Sequence, residues 1–114
     1  MKRMTRLSRF SEVLDRLAAV IEARKGADPE SSYTARLLSE GVERQAKKFG
    51  EEAVETVIAA ASHDKSAVAA ESADLIYHWL VLLAGSGVDL DKVAAKLEAR
   101  EGRSGMDEKA SRPT

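Results

Sequence analysis

Apolar residues recur along this chain at helical spacing almost from end to end. Phe10, Val13, Leu14, Leu17, Val20 and Ile21 fall on one side of a 3.6-residue repeat, which predicts an amphipathic helix over Phe10–Lys25. Ser8 or Ser11 suits its start, Arg24 and Lys25 its negative end, and Gly26 its stop. Gly26–Thr34 reads as a loop, since Asp28 before Pro29 is biased out of the helical region. A short helical turn follows over Thr34–Ser39 and ends near Gly41. The second long helix covers about Val42–Ala61, with Ala46, Phe49, Ala53, Val57 and Ala60 as its apolar face. Lys48, Glu52 and Glu55 fall on the opposite side, with Glu51 toward one edge. Gly50 costs roughly 1 kcal/mol against Ala inside a helix, and close packing there is one reason to expect it. After a polar break at Ser62–Lys65, with Asp64 or Ser66 as cap, a third long helix runs to about Ala84. It is apolar almost all round, as a helix buried in the middle of a bundle is. One stripe breaks that rule: Glu71, Asp74, Leu75, His78 and Leu82. Gly85-Ser86-Gly87 ends it, and Asp89 or Asp91 starts a last helix to about Arg100, with Val93, Ala94 and Leu97 facing inward.

This pattern predicts an all-α fold: one domain over residues 1–101, built of four to five helices that pack antiparallel into a bundle, and a polar tail over 102–114. A chain of 114 residues, 44% hydrophobic and 32% charged, is long enough for a real core and too apolar to be disordered. Pro29 and Pro113 are the two prolines, so none interrupts the helices between them. A net charge of −1 offers no general electrostatic attraction to nucleic acid. The absence of cysteine excludes disulfides and thiolate metal sites and fits a reducing, cytoplasmic setting. Met1–Phe10 is basic without an apolar segment behind it, unlike a secretory signal. The longest unbroken apolar run, Trp79–Ala84, falls far short of the ~20 residues that span a bilayer, so no membrane partner is expected.

The acidic residues change the picture. Glu52/Glu55 and Glu71/Asp74 are each spaced i,i+3, so each pair shares one helix face with Cβ atoms about 5–6 Å apart. Two such helices side by side point four carboxylates at one small volume. Like charges so placed repel, and desolvation adds to the cost unless a cation lies between them. Oxygen ligands of this kind suit a hard divalent ion such as Mg²⁺. Glu51, Glu52 and Glu55 alone would read as a solvated helix face. Glu71 and Asp74 tip the balance toward a metal site, because their helix has little other polar surface. His78 reads as a buried imidazole bonded to a neighbour rather than a ligand, since no Glu-x-x-His occurs in the chain. Lys48 shares the acids' side of its helix and is either a surface lysine or a phosphate contact. Arg103, Lys109 and Arg112 read as a solvated tail unless the tail folds back over the acids.

Glu-Glu-Ala-Val-Glu at Glu51–Glu55 followed by Glu-Ser-Ala-Asp at Glu71–Asp74 resembles the EExxE…ExxD signature of the MazG-like all-α nucleoside triphosphate pyrophosphohydrolases. Within that superfamily, further segments resemble the phosphoribosyl-ATP pyrophosphatase family of histidine biosynthesis: the loop Asp28–Thr34, the block Lys48–Glu55, the block Glu71–His78, and the tail with Arg-Glu-Gly-Arg-Ser-Gly and Glu-Lys-Ala-Ser-Arg. The likeness spans about Phe10 to Arg112, and the stand-alone form, without a fused cyclohydrolase domain, is expected. The resemblance implies Mg²⁺-dependent hydrolysis of phosphoribosyl-ATP to phosphoribosyl-AMP and pyrophosphate by a homodimer. It implies Glu52, Glu55, Glu71 and Asp74 as metal ligands, Glu51 beside Glu52 and Glu55 in catalysis, and Lys48, Tyr33, Thr34, Arg103 and Lys109 as substrate contacts. Two other readings compete: a housecleaning pyrophosphohydrolase of non-standard nucleoside triphosphates, and a helical interaction module without activity.

Overall fold

A computed structural model describes residues 6–102. They form α1 (Arg6–Ala23), α2 (Tyr33–Ser39), α3 (Val42–Ala61), α4 (Lys65–Gly85) and α5 (Leu90–Glu98), and among the described residues there is no strand. The all-α expectation holds, with helix ends close to those predicted. The exception is the start of α1. It begins by Arg6, so Ser8 and Ser11 lie inside it rather than capping it. At its other end Gly26 takes φ 75°, a left-handed conformation that carries the chain out of the last turn at no Cβ cost. Ser32 caps α2 by accepting from the Ala35 amide, Asp64 caps α4 through Ala67, and Asp89 caps α5 through Asp91.

α3 and α4 pack along each other far more extensively than any other pair. The three-residue turn between them decides their register. Ser62 caps α3, His63 takes a left-handed φ of 57°, and the Asp64 amide donates back to the Ala59 carbonyl, an arrangement that satisfies the last carbonyls of α3. With so short a turn, residues equally far along the chain from His63 come opposite each other. Ala59 thus meets Ala67, Glu55 meets Glu71, Glu52 meets Asp74 and Lys48 meets His78.

The hydrophobic core lies at the far end of this hairpin. Ile21 of α1, Leu37 of α2, and Leu80 and Val81 of α4 are buried, with Leu14, Leu17, Ile76, Tyr77 and Trp79 packed around them. α4 is therefore covered over its C-terminal half, while Ala69, Ala70 and Ala73 of its N-terminal half remain exposed. Its length and mean hydropathy of 1.3 would match a membrane span, yet the side facing α3 carries Glu71 and His78. Within the single chain the helix is not buried all round, because α1, α2 and α3 between them leave part of its surface uncovered.

α3 buries a face rotated away from the centre of its apolar stripe: Phe49 and Ala53 of that stripe are half-buried, while Ala46, Val57 and Ala60 are exposed. The residues turned toward α4 are Gln45, Lys48, Glu52, Thr56 and Ala59, whereas Val54, Val57 and Ile58 are 58%, 66% and 59% exposed. α5 departs similarly: Val93 is half-buried, but Ala94 and Leu97 face outward. A Cβ on Gly50 would touch nothing, so close packing does not explain that glycine.

One polar side chain ties three helices together. Gln45 is 1% exposed, and its Nε2 donates to the Leu37 carbonyl at 3.0 Å, fastening the end of α2 to α3. The space for it comes from Gly85, where a Cβ would collide with the Gln45 amide. Gly85→Ala should therefore destabilise the protein by about 1–3 kcal/mol, the usual range for overpacking a filled site. Thermal unfolding of Gly85→Ala, Gln45→Ala and the double variant checks this. The double variant should lose less than the two single losses added together.

Candidate metal centre

Glu52 and Glu55 of α3 and Glu71 of α4 each offer a carboxylate oxygen, and these atoms all lie within 4.8 Å of one another. The helices position them by simple rules. The i,i+3 spacing puts Glu52 and Glu55 on one face of α3, and the short turn at His63 brings Glu71 opposite. Glu52 and Glu71 are half-buried and Glu55 is exposed. Asp74 is exposed and stands outside that tight group, but its charge acts on both Glu52 and Glu71.

The electrostatics are those of a site built for a cation. The Glu52 carboxyl is held above its ordinary range, first by burial and then by the charges of Glu55 and Asp74. Glu71 is also raised, first by a hydrogen bond with Glu55 that favours its protonated form, then by burial and by the charges of Glu55 and Asp74. One oxygen of each, Oε2 in both, is buried without a hydrogen-bond partner. Orphaned carboxylate oxygens beside further carboxylates are costly in an apo protein. A hard divalent cation removes the cost, because it supplies the missing partner and cancels the repulsion. The donor set is all oxygen, which fits such an ion and disfavours soft metals. Against the group opens a cleft of about 300 Å³, lined by Glu55, Ile58, Ala59, Ser62, Asp64, Ala67 and Glu71.

On the other side of the acids lie Lys48 and Glu51. Lys48 is half-buried and pairs with Glu51 at 3.6 Å. Glu51 is thus held by an ion pair and is not one of the three clustered carboxylates. Opposite Lys48 is His78, 7% exposed, with Nδ1 buried and unpartnered rather than bonded to a neighbour. Burial and the nearby Lys48 charge lower its pKa below the ordinary histidine value, against opposing pulls from Asp74 and Glu51. His78 meets the Tyr77 ring edge-on at 5.0 Å and the Tyr33 ring at 6.2 Å, and the two tyrosines stack at 6.4 Å. Thr34 Oγ1 and Tyr77 Oη share a hydrogen bond of 2.5 Å. Tyr77 was not singled out from the sequence. Its only signal was its place beside His78 in the Glu71–His78 block, and its partners Tyr33 and Thr34 are remote in the chain. Arg103 and Lys109 lie outside the described residues.

The family model described as phosphoribosyl-ATP pyrophosphohydrolase matches residues 14–101. The chain belongs to this family. A phosphoribosyl-ATP pyrophosphatase of Caulobacter vibrioides (strain NA1000 / CB15N) is 67% identical over 104 residues, covering 91% of this chain and 96% of the relative. One from Parvibaculum lavamentivorans is 66% identical over 99 residues, covering 87% and 91%. Another from Cereibacter sphaeroides (strain ATCC 17029 / ATH 2.4.9) is 60% identical over 100 residues, covering 88% and 97%. All three carry the same name in their descriptions, and the matched region contains the whole acidic cluster.

The raised carboxyls make a signed prediction for the metal-free protein. Glu52 and Glu71 bind protons more tightly folded than unfolded, so folding loses stability as pH rises from the ordinary glutamate value of about 4.3 through their raised values. Glu52→Gln should therefore raise the melting temperature in chelator at pH 7, with the gain shrinking toward pH 4. Melting curves across that range, with and without a divalent cation, measure it.

Proposed function

We propose that this protein hydrolyses phosphoribosyl-ATP to phosphoribosyl-AMP and pyrophosphate, the second step of histidine biosynthesis, with Mg²⁺ held by Glu52, Glu55, Glu71 and Asp74. The observation that carries the reading is the group of three carboxylates with two orphaned buried oxygens, in a chain closely similar to named phosphoribosyl-ATP pyrophosphatases. When bound, Mg²⁺ offsets charge on the triphosphate oxygens and on the departing pyrophosphate.

The chain's own residues do the rest. Water attacks a phosphorus of the α–β bridge, its oxygen forms the new P–O bond, and the bridging bond breaks to release pyrophosphate. A carboxylate must orient that water and take its proton. Glu55, exposed at the cleft, is the group best placed to do so, with Glu52 beside it. Glu51 acts by steadying Lys48 through their ion pair, and the Lys48 ammonium meets a phosphate. Tyr33 and Thr34 form the substrate side of α2, and Arg103 and Lys109 add cationic contacts from the tail. This reading places the protein in the cytoplasm, with no nucleic-acid or membrane partner.

A second copy of the chain completes the assembly. Among the described residues only Ile21, Ala35, Leu37, Ala59, Leu80 and Val81 are buried apolar side chains, whereas α3 turns Val54, Val57 and Ile58 outward as one contiguous apolar face. Such a face on a chain this small supports a homodimer.

Pyrophosphate release from phosphoribosyl-ATP, compared with a panel of ordinary and non-standard nucleoside triphosphates, tests the substrate. The first should turn over far faster, and preference for the others would favour a housecleaning role. Glu55→Ala or Asp74→Ala should keep helicity and lose at least the ~10–100-fold that follows loss of even an outer partner of a metal ligand. Near-normal rates in both variants rule out the ligand set. Val57→Glu should shift the protein from dimer to monomer in sedimentation.

A further inference from the structure

Two levels of chemistry lie along the α3–α4 hairpin. Nearest the turn are the carboxylates Glu52, Glu55 and Glu71, and farther along, facing each other, are Lys48 and the aromatic group of Tyr33, Tyr77 and His78. Glu71, Asp74 and His78 share one stripe of α4, so at 1.5 Å per residue the last stands roughly 10 Å from the first along the helix axis. A sugar and its phosphate bridge a gap of that order. The chain has two tyrosines among few aromatics, and both are in this group.

The group is also held in place. Tyr77 backs Tyr33 with rings inclined by 22°, and His78 closes the edges of both. Thr34 ties its hydroxyl to Tyr77, Ser32 caps the turn that carries Tyr33, and Gln45 fastens the other end of α2. Tyr33 nonetheless keeps 51% of its surface exposed. His78 Nδ1, on a side chain buried by more than nine-tenths, lacks any partner, and a buried group so left calls for one. A fixed ring with open surface is a platform on which a purine stacks with little loss of side-chain freedom.

We propose that Tyr33, backed by Tyr77 and edged by His78, is the stacking platform for the purine base of the substrate. The proposal rests on the nucleotide-hydrolase reading and names the part of the substrate that the carboxylates and Lys48 leave unheld. Tyr33 binds the base directly, and Tyr77, His78 and Thr34 are positioning residues.

Calorimetric titration of the full chain in chelator with AMP and with ribose 5-phosphate tests it without turnover. The wild type should bind AMP more tightly than ribose 5-phosphate by about 5- to 150-fold, the stacking increment for one base. Tyr33→Leu, which keeps apolar bulk, should erase that difference and leave ribose 5-phosphate binding alone. Tyr33→Phe, which keeps the ring, should restore it. Equal binding of the two ligands by the wild type overturns the platform. So does an unchanged AMP affinity in Tyr33→Leu, or an equal loss for both ligands, which marks a general structural effect. If AMP discrimination follows Tyr33 but phosphoribosyl-ATP yields no pyrophosphate, the platform stands and the proposed reaction falls.

Discussion

Negative charge facing negative charge across α3 and α4 is the constraint on which this structure turns. Helix pairs ordinarily meet through apolar stripes, because burying hydrocarbon is what drives them together. Here the contact includes Glu52 and Glu71, each with a buried oxygen that nothing satisfies. The hairpin carries a local penalty that only protons or a cation remove. Stability comes instead from the far end, where Ile21, Leu37, Leu80 and Val81 form the core. The arrangement separates the part of the molecule that holds it folded from the part that gathers negative charge.

That separation depends on the turn at His63. A tight three-residue connection leaves no slack in register, so the spacing of acids on α3 dictates which residues of α4 they confront. Gln45 and Gly85 serve the same end at the opposite extreme of the hairpin, where a missing Cβ admits the amide that fastens α2. The position of α2 then decides where Tyr33 and Thr34 stand relative to Tyr77 and His78. Packing at one end is thereby transmitted to the aromatic group beside the charged one.

Much of this was legible in the residues themselves. Periodicity and capping residues specify five helices, because helical spacing and N-cap chemistry are local properties of the chain. The two i,i+3 acidic pairs are likewise local, and three of the four acids do converge. The helical wheel of α3 correctly separates its apolar face from its charged one. It does not say which face meets α4, and Ala46, Val57 and Ala60 of the apolar stripe are left exposed while Phe49 and Ala53 are half-buried. Hydrophobicity ranks faces by their preference for burial, but it does not distinguish burial within one chain from burial against another.

The sequence by itself determined the helices, their limits other than the start of α1, and the acidic spacing, since each depends on residues within a few positions of one another. Only the tertiary structure decided that Asp74 stands outside the tightest group, that Glu51 is taken by Lys48, and that Tyr33 and Thr34 reach Tyr77 and His78. Those outcomes depend on how one helix is rotated and shifted against another. That geometry comes from the turn at His63 and the clasp at Gln45, and no local periodicity encodes it.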